Sequence, residues 1–400
     1  MSHDTPAVPG VLRIPAGHRF ARLPLVGIGL AVVGAAQLAI FGTRHAERLF
    51  AAWLVAFVFF LTIALGCLYF VLIHTAMQGS WGVVVRRVAE NAAATLPLFA
   101  VLFLPVAFGM HSLYHWSDPE AMAHDALLRF KQPYLNQPFF FARAAFYFAV
   151  WSGIALWFRR QSRLQDEVRD AAAATRLSRY SGALLIPLAL TTTFAAFDWL
   201  MSLAPHWYST IFGVYVFAGA LVSGFAFVSI AAVALRRAGL LPALSSEHLH
   251  DLGKLLFAFT VFWAYIAFSQ FFLIWYGNIP EETIWYRIRL AGGFKLVTIA
   301  LAVGHFALPF FFLLPRAIKR NAATLVMAAV WLLAMHFVDV YWLVIPSIEG
   351  LGARPGIVDV AALVTVGGAF LAAFGWLLVT SPLVPAGDPR LSESLAFENV

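Results

Sequence analysis

The sequence is poor in the residues that build redox and metal centres. It holds a single cysteine, Cys67, which rules out an internal disulfide and leaves a cysteine-held iron–sulfur cluster or a thiolate zinc site without ligands. With one cysteine there is no C-x-x-C-H motif and so no covalently attached haem. Charge is scarce as well: Asp, Glu, Lys and Arg make up 12% of 400 residues, against 62% apolar residues and a mean hydropathy of +0.81. Such a composition excludes a water-soluble domain and describes a polytopic membrane protein. The net charge of +7 does not indicate nucleic acid, because the basic residues sit in short loops beside apolar runs, where topology alone puts them.

A hydrocarbon core of ~30 Å takes ~20 helical residues to cross. Runs of that length are predicted at 23–41, 50–73, 92–110, 139–157, 181–201, 210–235, 253–276, 290–313, 322–345 and 357–379. The reading is an all-α integral membrane protein of ten spans, with segment 1–22 before them and tail 380–400 after. Ten spans put both ends on one side, whose loops carry eighteen Lys and Arg against seven on the other, including Arg44. Arg143 and Lys295 fall inside spans. By the positive-inside rule the ends are expected to be cytoplasmic. Residues 1–22, with Pro6, Pro9 and Pro15, lack a signal-peptide pattern, so the first span is expected to stay in the chain.

Two connections are predicted to be ordered. Ser117-Asp118-Pro119-Glu120 supplies a cap, a proline at the first helical position and an acid in the first turn, predicting a helix over 119–131. The run 159–179 mixes both charge signs at three- and four-residue spacing, as a solvated helix extending the fourth span would. Between Leu203 and Ser209 there is no charge, which predicts a tight hairpin anchored at the interface by Trp199, Trp207 and Tyr208. Pro97, Pro105, Pro187 and Pro309 are expected to kink their spans. Gly213, Ala220 and Gly224 are read as sites of close helix packing.

Ionisable residues inside hydrocarbon are costly and mark function. Laid out at ~1.5 Å per residue, Asp198, Lys295, His336 and Asp339 come out at one level, roughly 5–9 Å below the outer surface. The expectation is a shared site in which Lys295 neutralises an acid, while Arg143 snorkels to the interface. Below it lie His305 and the hydroxyls of Thr191, Thr192, Thr193, Ser223, Thr260 and Tyr265. Two readings stand: a polar half-channel for protons, or buried pairs that fix helix register with hydroxyls bonded to their own backbone. The same depth scale separates His305 from His336 by ~13 Å, too far for both to ligate one haem. His111, His115 and His206 cluster at the outer edge and are read mainly as polar loop residues.

The stretches DWLMSLAPHWYSTIFGVYVFAGA (198–220), DLGKLLFAFTVFWAYIAFSQFFLIWYGNIPEETIWYRIR (251–289), HFALPFFFLLPRAIKRN (305–321) and DPRLSESLAFENV (388–400) resemble the ActF subunit of bacterial alternative complex III, a quinol:electron-acceptor oxidoreductase. The resemblance covers residues 180–400 and, more loosely, the earlier spans. It implies an NrfD-like ten-helix subunit of the bacterial inner membrane, with two four-helix bundles, about 50–201 and 210–345, and peripheral first and last helices. It further implies no redox cofactor in this chain, haem and iron–sulfur groups on partner subunits, and a sister NrfD-like subunit holding the main quinol site. Quinone or quinol is left open as a ligand of this chain.

Asp198, His206, Lys295, His336 and Asp339 fall within stretches of residues 180–400 that match the family pattern and, with His305, are the proton-transfer or quinol-contact candidates. No catalytic or metal-ligating residue is assigned. The leading expectation is a proton path beside a sister quinol site. The alternatives are quinol binding by this subunit near the outer face, with His336 or Asp339 taking a hydroxyl proton, and a secondary transporter, whose helices would break near mid-depth.

Overall fold

Among the described residues there are ten helices long and apolar enough to cross a membrane: α1 (Arg19–Phe41), α2 (Ala46–Ala76), α3 (Val83–Phe108), α4 (Gln137–Glu167), α5 (Ala174–Leu203), α6 (Phe212–Arg237), α7 (Ser246–Gly277), α8 (Phe294–Leu313), α9 (Ala322–Ser347) and α10 (Ile357–Val379). The computed structural model describes residues 13–42, 46–168 and 171–399, and among them there is no strand. Residues 1–12, Arg44, Arg169 and Asp170, all used in the sequence reading, lie outside the described residues. Helices are what a lipid-embedded chain must form, because hydrocarbon offers backbone N–H and C=O groups no other partners.

The centre of the protein is α2, buried along nearly its whole length and packed against α3, α5, α6, α9 and α10. Lipid tails are as apolar as leucine, so helices associate mainly where small residues let backbones meet. At the crossing of α2 and α6, a Cβ on Gly66 would lie 1.8 Å from the Ala220 carbonyl oxygen, and one on Gly224 would lie 2.6 Å from the Gly66 carbonyl carbon. Only glycine fits there. The same device joins α1 to α10, where a Cβ on Gly27 would fall 2.3 Å from the Ala372 nitrogen.

Two helices are irregular where proline removes a donor. In α3, Pro97 and Pro105 stand in the first turns of segments Leu96–Leu102 and Leu104–Phe108. In α8, a π-helical turn, Leu301–Ala307, precedes Pro309, and the Gly304 carbonyl accepts from the Trp331 indole at 2.7 Å. The wider turn absorbs the missing N–H and turns His305 inward.

The face carrying the C-terminal tail, the tail face, is held by buried ions. Arg86, expected in a loop, lies inside α3, which starts at Val83 and not at 92. Its Nε donates to Glu90 Oε1 at 3.0 Å and its Nη1 to Asp388 Oδ2 at 2.6 Å. Arg87 Nη2 donates to Asp166 at 2.7 Å, and Gly387 N donates to the same carboxylate. The tail is thereby stapled across α3 and α4. The 159–179 run is two helix ends, the last turns of α4 up to Glu167 and the first turns of α5 from Ala174. Several of its residues face inward, so it is not uniformly solvated.

On the far face, the predicted 119–131 helix is two short ones, Pro119–His124 and Ala126–Lys131. Asp125 breaks the first and caps the second, its Oδ1 accepting from Leu127 N at 2.8 Å and Leu128 N at 3.1 Å. Trp199 and Trp207 are buried and not interfacial; Trp207 stacks on Trp285 at 4.4 Å because the helix Pro280–Arg289 folds over the hairpin. Tyr208 alone of the three anchors is exposed. Arg48 and Asp359 pair at 2.5 Å and tie α2 to α10.

Gly66→Val is expected to cost at least about 2 kcal/mol by overpacking, read as a lower thermal midpoint in detergent. At Gly153, where a Cβ meets nothing within 4 Å, Gly153→Ala is expected to be neutral or slightly stabilising. A pH dependence follows from Asp388. Burial acts to raise its pKa, but Arg86, Arg390 and the Arg390 amide outweigh it and hold the carboxyl at about 2. A lowered carboxylate pKa stabilises the fold above the ordinary value of 3.8, and that contribution disappears as pH falls through about 2. Amide exchange in residues 381–395 is expected to accelerate between pH 4 and 2 in the wild type and to lose that pH step in Asp388→Asn.

Candidate functional site

The six candidate residues do not form one layer. They separate into a salt bridge on α5, a carboxyl–imidazole cluster between α6 and α9, and two surface positions.

Asp198, in the far-face part of α5, is fully buried, and α4 supplies its partners. Arg143 Nε and Nη2 donate to Asp198 Oδ2 and Oδ1 at 2.7 and 3.0 Å, a two-pronged pair, and Tyr147 OH donates to Oδ2 at 2.7 Å. Arg143 Nη1 donates to the Tyr134 carbonyl at 3.0 Å, and its guanidinium carbon lies 3.9 Å from the Tyr134 ring centre and 4.2 Å from that of Phe139. The expectation that Arg143 snorkels is corrected: it turns inward to meet an acid that would otherwise stand unpaired in hydrocarbon. Arg143 and Tyr147 are one turn apart on one face, a signal the sequence carried and the depth scale hid.

Asp339 lies one turn beyond His336 on α9. Its Oδ1 accepts from Tyr215 OH of α6, and its Oδ2 accepts from the Trp263 indole of α7 at 3.0 Å. Both donors are neutral, so this carboxyl has no cation among its hydrogen-bond partners. The Trp263 ring lies on His305 with centres 3.9 Å apart. His305 and His336 have ring centres 6.5 Å apart. The ~13 Å separation expected between them is therefore overturned. Helix α8 starts at Phe294 rather than 290, which lifts His305 by ~6 Å.

His336 Nε2 shares a hydrogen bond of 2.8 Å with Thr62 Oγ1 on α2, whose hydroxyl stands one turn from Gly66. A Cβ on Gly219 would lie 3.3 Å from His336 Nδ1 and 3.9 Å from Asp339 Oδ2, so a missing side chain on α6 leaves room for both groups. His336 Nδ1 and both nitrogens of His305 have no hydrogen-bond partner in the protein. The cluster thus offers a buried carboxyl and three unengaged imidazole nitrogens, groups that can accept, hold and pass a proton. The rings are walled by Trp263, Gly219 and Thr62. No group of three or more His, Cys, Asp or Glu among the described residues is arranged to hold a metal ion.

Lys295 is exposed on α8, and its expected role as counter-ion to the acids is corrected: it pairs with neither. His206 is also exposed; its Nε2 meets Asp125 Oδ2 at 2.5 Å. It lines a far-face cleft of about 500 Å³ with His111, His115, Glu47, Trp285 and Arg289. Arg289, missed by the sequence reading, is fully buried there. It donates to the Trp342 and Leu343 carbonyls at 3.2 and 2.9 Å and covers Trp285 at 3.4 Å. Burial lowers its pKa to about 9, with Tyr286 and Tyr215 opposing the shift.

The expected hydroxyl ladder is mostly bonded to its own helices. Thr191, Thr192, Ser223 and Thr260 donate to the carbonyls of Pro187, Leu188, Ala220 and Leu256, and Tyr265 is exposed. A void of about 20 Å³, room for one water, does lie between Thr62, Thr192, Trp151 and Trp199. Among the described residues the side-chain hydrogen-bond partners of Asp198 (Arg143 and Tyr147) and those of Asp339 (Tyr215 and Trp263) have no member in common. No protein-family model matches the sequence, and no curated protein matches it.

Removing one member of the Asp198 pair strands the other charge. Asp198→Ala is expected to destabilise by about 3–5 kcal/mol, whereas Asp198→Leu with Arg143→Met recovers most of that loss. Chemical denaturation in detergent measures both.

Proposed function

We propose that this chain is an integral membrane subunit of a quinol-oxidising complex of the alternative complex III type, without a redox group of its own, and that it carries protons beside a quinol site on a sister subunit. The observation that carries the proton reading is the Asp339–His336–His305 cluster: a buried carboxyl with no counter-ion beside imidazole nitrogens with no protein partner. A group of that kind is costly in a membrane interior and makes sense where protons are exchanged. The respiratory assignment rests on the resemblance of residues 180–400.

In this reading α2–α5 and α6–α9 form two four-helix bundles that meet at the α2–α6 crossing, with α1 and α10 at the periphery. The tail face is cytoplasmic, in keeping with its excess of Lys and Arg, and the membrane is the bacterial inner membrane. Multihaem and iron–sulfur subunits carry the electrons. Protons reach the cluster through Thr62 and the small void next to it, and Asp198 with Arg143 is a structural pair outside the path.

A second reading, in which this subunit binds quinol itself, draws on the far-face cleft. Its aromatic wall at Trp285 and its exposed polar groups at His111, His115 and His206 are a usual combination for a small planar ligand. A photoreactive quinone analogue is expected to label the sister subunit under the first reading and the cleft residues under the second.

In the intact complex, Asp339→Asn is expected to slow proton release at least tenfold and to leave the KM for quinol unchanged. Proton release and quinol turnover are to be measured separately. Unchanged proton release in both Asp339→Asn and His336→Phe would remove the proton reading.

A further inference from the structure

At the far face α7 ends at Gly277, and the chain reverses through Asn278, whose φ of 48° is left-handed, into the short helix Pro280–Arg289. An open slot of about 540 Å³ lies between the two helices. The short helix also borders the far-face cleft but presents other residues there: Ile284 and Ile288 line the cleft, Thr283 and Arg287 the slot. The inner wall of the slot is apolar, with Phe271 and Ile274 on α7 and Leu290 opposite. From Phe271 to Asn278 it extends ~10 Å along α7. Trp275 and Tyr276, both exposed, set its mouth at the edge of the hydrocarbon, where amphipathic rings settle.

The polar groups of this slot are donors. Arg287 is exposed and has no hydrogen bond or ion pair among the described residues. The side-chain amide of Asn278 is likewise exposed and unengaged. Tyr286 is buried against the slot, and its hydroxyl accepts from Gln270 Nε2 at 3.0 Å while Gln270 Oε1 accepts from Ser209 Oγ at 3.0 Å. The phenolic hydrogen is therefore left to donate elsewhere. Among the described residues no acid lines the slot. Glu281 and Glu282 stand six and five residues before Arg287, off its face of the helix. A guanidinium, an amide and a phenol at the rim of an apolar slot suit an acceptor-rich, anionic headgroup that carries acyl chains.

We propose that the slot between α7 and the helix Pro280–Arg289 binds one anionic phospholipid of the far-face leaflet, its phosphate against Arg287 and Asn278 and an acyl chain along Phe271 and Ile274. The Tyr286 hydroxyl donates to a glycerol ester oxygen. Charge decides between lipids: a zwitterionic headgroup brings its own cation to the phosphate and gains less at Arg287. The site depends neither on the Asp339 cluster nor on the far-face cleft.

Native mass spectrometry of the full chain from mixed micelles of dioleoyl phosphatidylglycerol and dioleoyl phosphatidylethanolamine tests it. The wild type is expected to retain one phosphatidylglycerol with roughly fivefold preference, the factor one basic contact supplies at a membrane surface. Arg287→Gln is expected to bring the ratio near one with a lipid still retained. Arg129→Gln removes an exposed cation of the same face outside the slot and is expected to leave the ratio unchanged. Leu290→Trp, which fills the slot from an exposed position, is expected to lose the retained lipid at an unchanged thermal midpoint. A wild type without preference, an unchanged ratio in Arg287→Gln, an equal loss of preference in Arg129→Gln, or a lipid retained by Leu290→Trp overturns the proposal. So does one-for-one displacement of the phosphatidylglycerol by an equal amount of decylubiquinone, because the slot would then seat a quinone head.

Discussion

The cost of an ionised group in hydrocarbon organises this protein. Several kcal/mol are at stake for each charge that leaves water without compensation, and the chain answers locally. Asp198 receives both prongs of Arg143. Glu90 and Asp388 receive Arg86, and Asp359 receives Arg48. Arg143–Asp198 joins α4 to α5, Arg48–Asp359 joins α2 to α10, and Arg86–Asp388 ties the tail to α3, so there neutralisation and assembly are one event. Asp339 stands apart, because its donors are a phenol and an indole. Among the described residues Asp339 is thus a buried acid whose side-chain donors are both neutral, where Asp198, Glu90, Asp359 and Asp388 each meet an arginine.

Close backbone approach positions that exception. Gly66 and Gly224 bring α2 and α6 into contact, Thr62 then stands within reach of His336, and Gly219 leaves space for the imidazole and the carboxyl. On the other side the π turn ahead of Pro309 delivers His305 to the Trp263 ring. Packing devices with no chemistry of their own thus set the geometry of the groups that have some.

The number and approximate position of the ten helices were legible from apolar runs, because hydrocarbon imposes length and composition directly. Depth was not, since residue counting assumes that each span starts where the apolar run starts and crosses upright. The short helix Pro280–Arg289 removed four residues from α8 and brought His305 beside His336. Arg143 was misread for a related reason: a cation near a span end is equally consistent with snorkelling and with pairing, and only the position of α5 decides. Tyr215 and Trp263 gave no signal at all, being two aromatics among many. The buried ions of Arg86 and Arg87 were hidden because loop and span were divided at residue 92.

The account's central claim is that the Asp198 and Asp339 centres are independent, one holding helices together and the other exchanging protons. A double-mutant cycle on the rate of proton release in the intact complex, using Asp198→Asn, Asp339→Asn and the double variant, measures this directly. Independence predicts effects that add to within about 0.5 kcal/mol, with nearly all of the loss carried by Asp339→Asn. A coupling energy above about 1 kcal/mol, or a loss carried equally by Asp198→Asn, would contradict it and return the two acids to a single path.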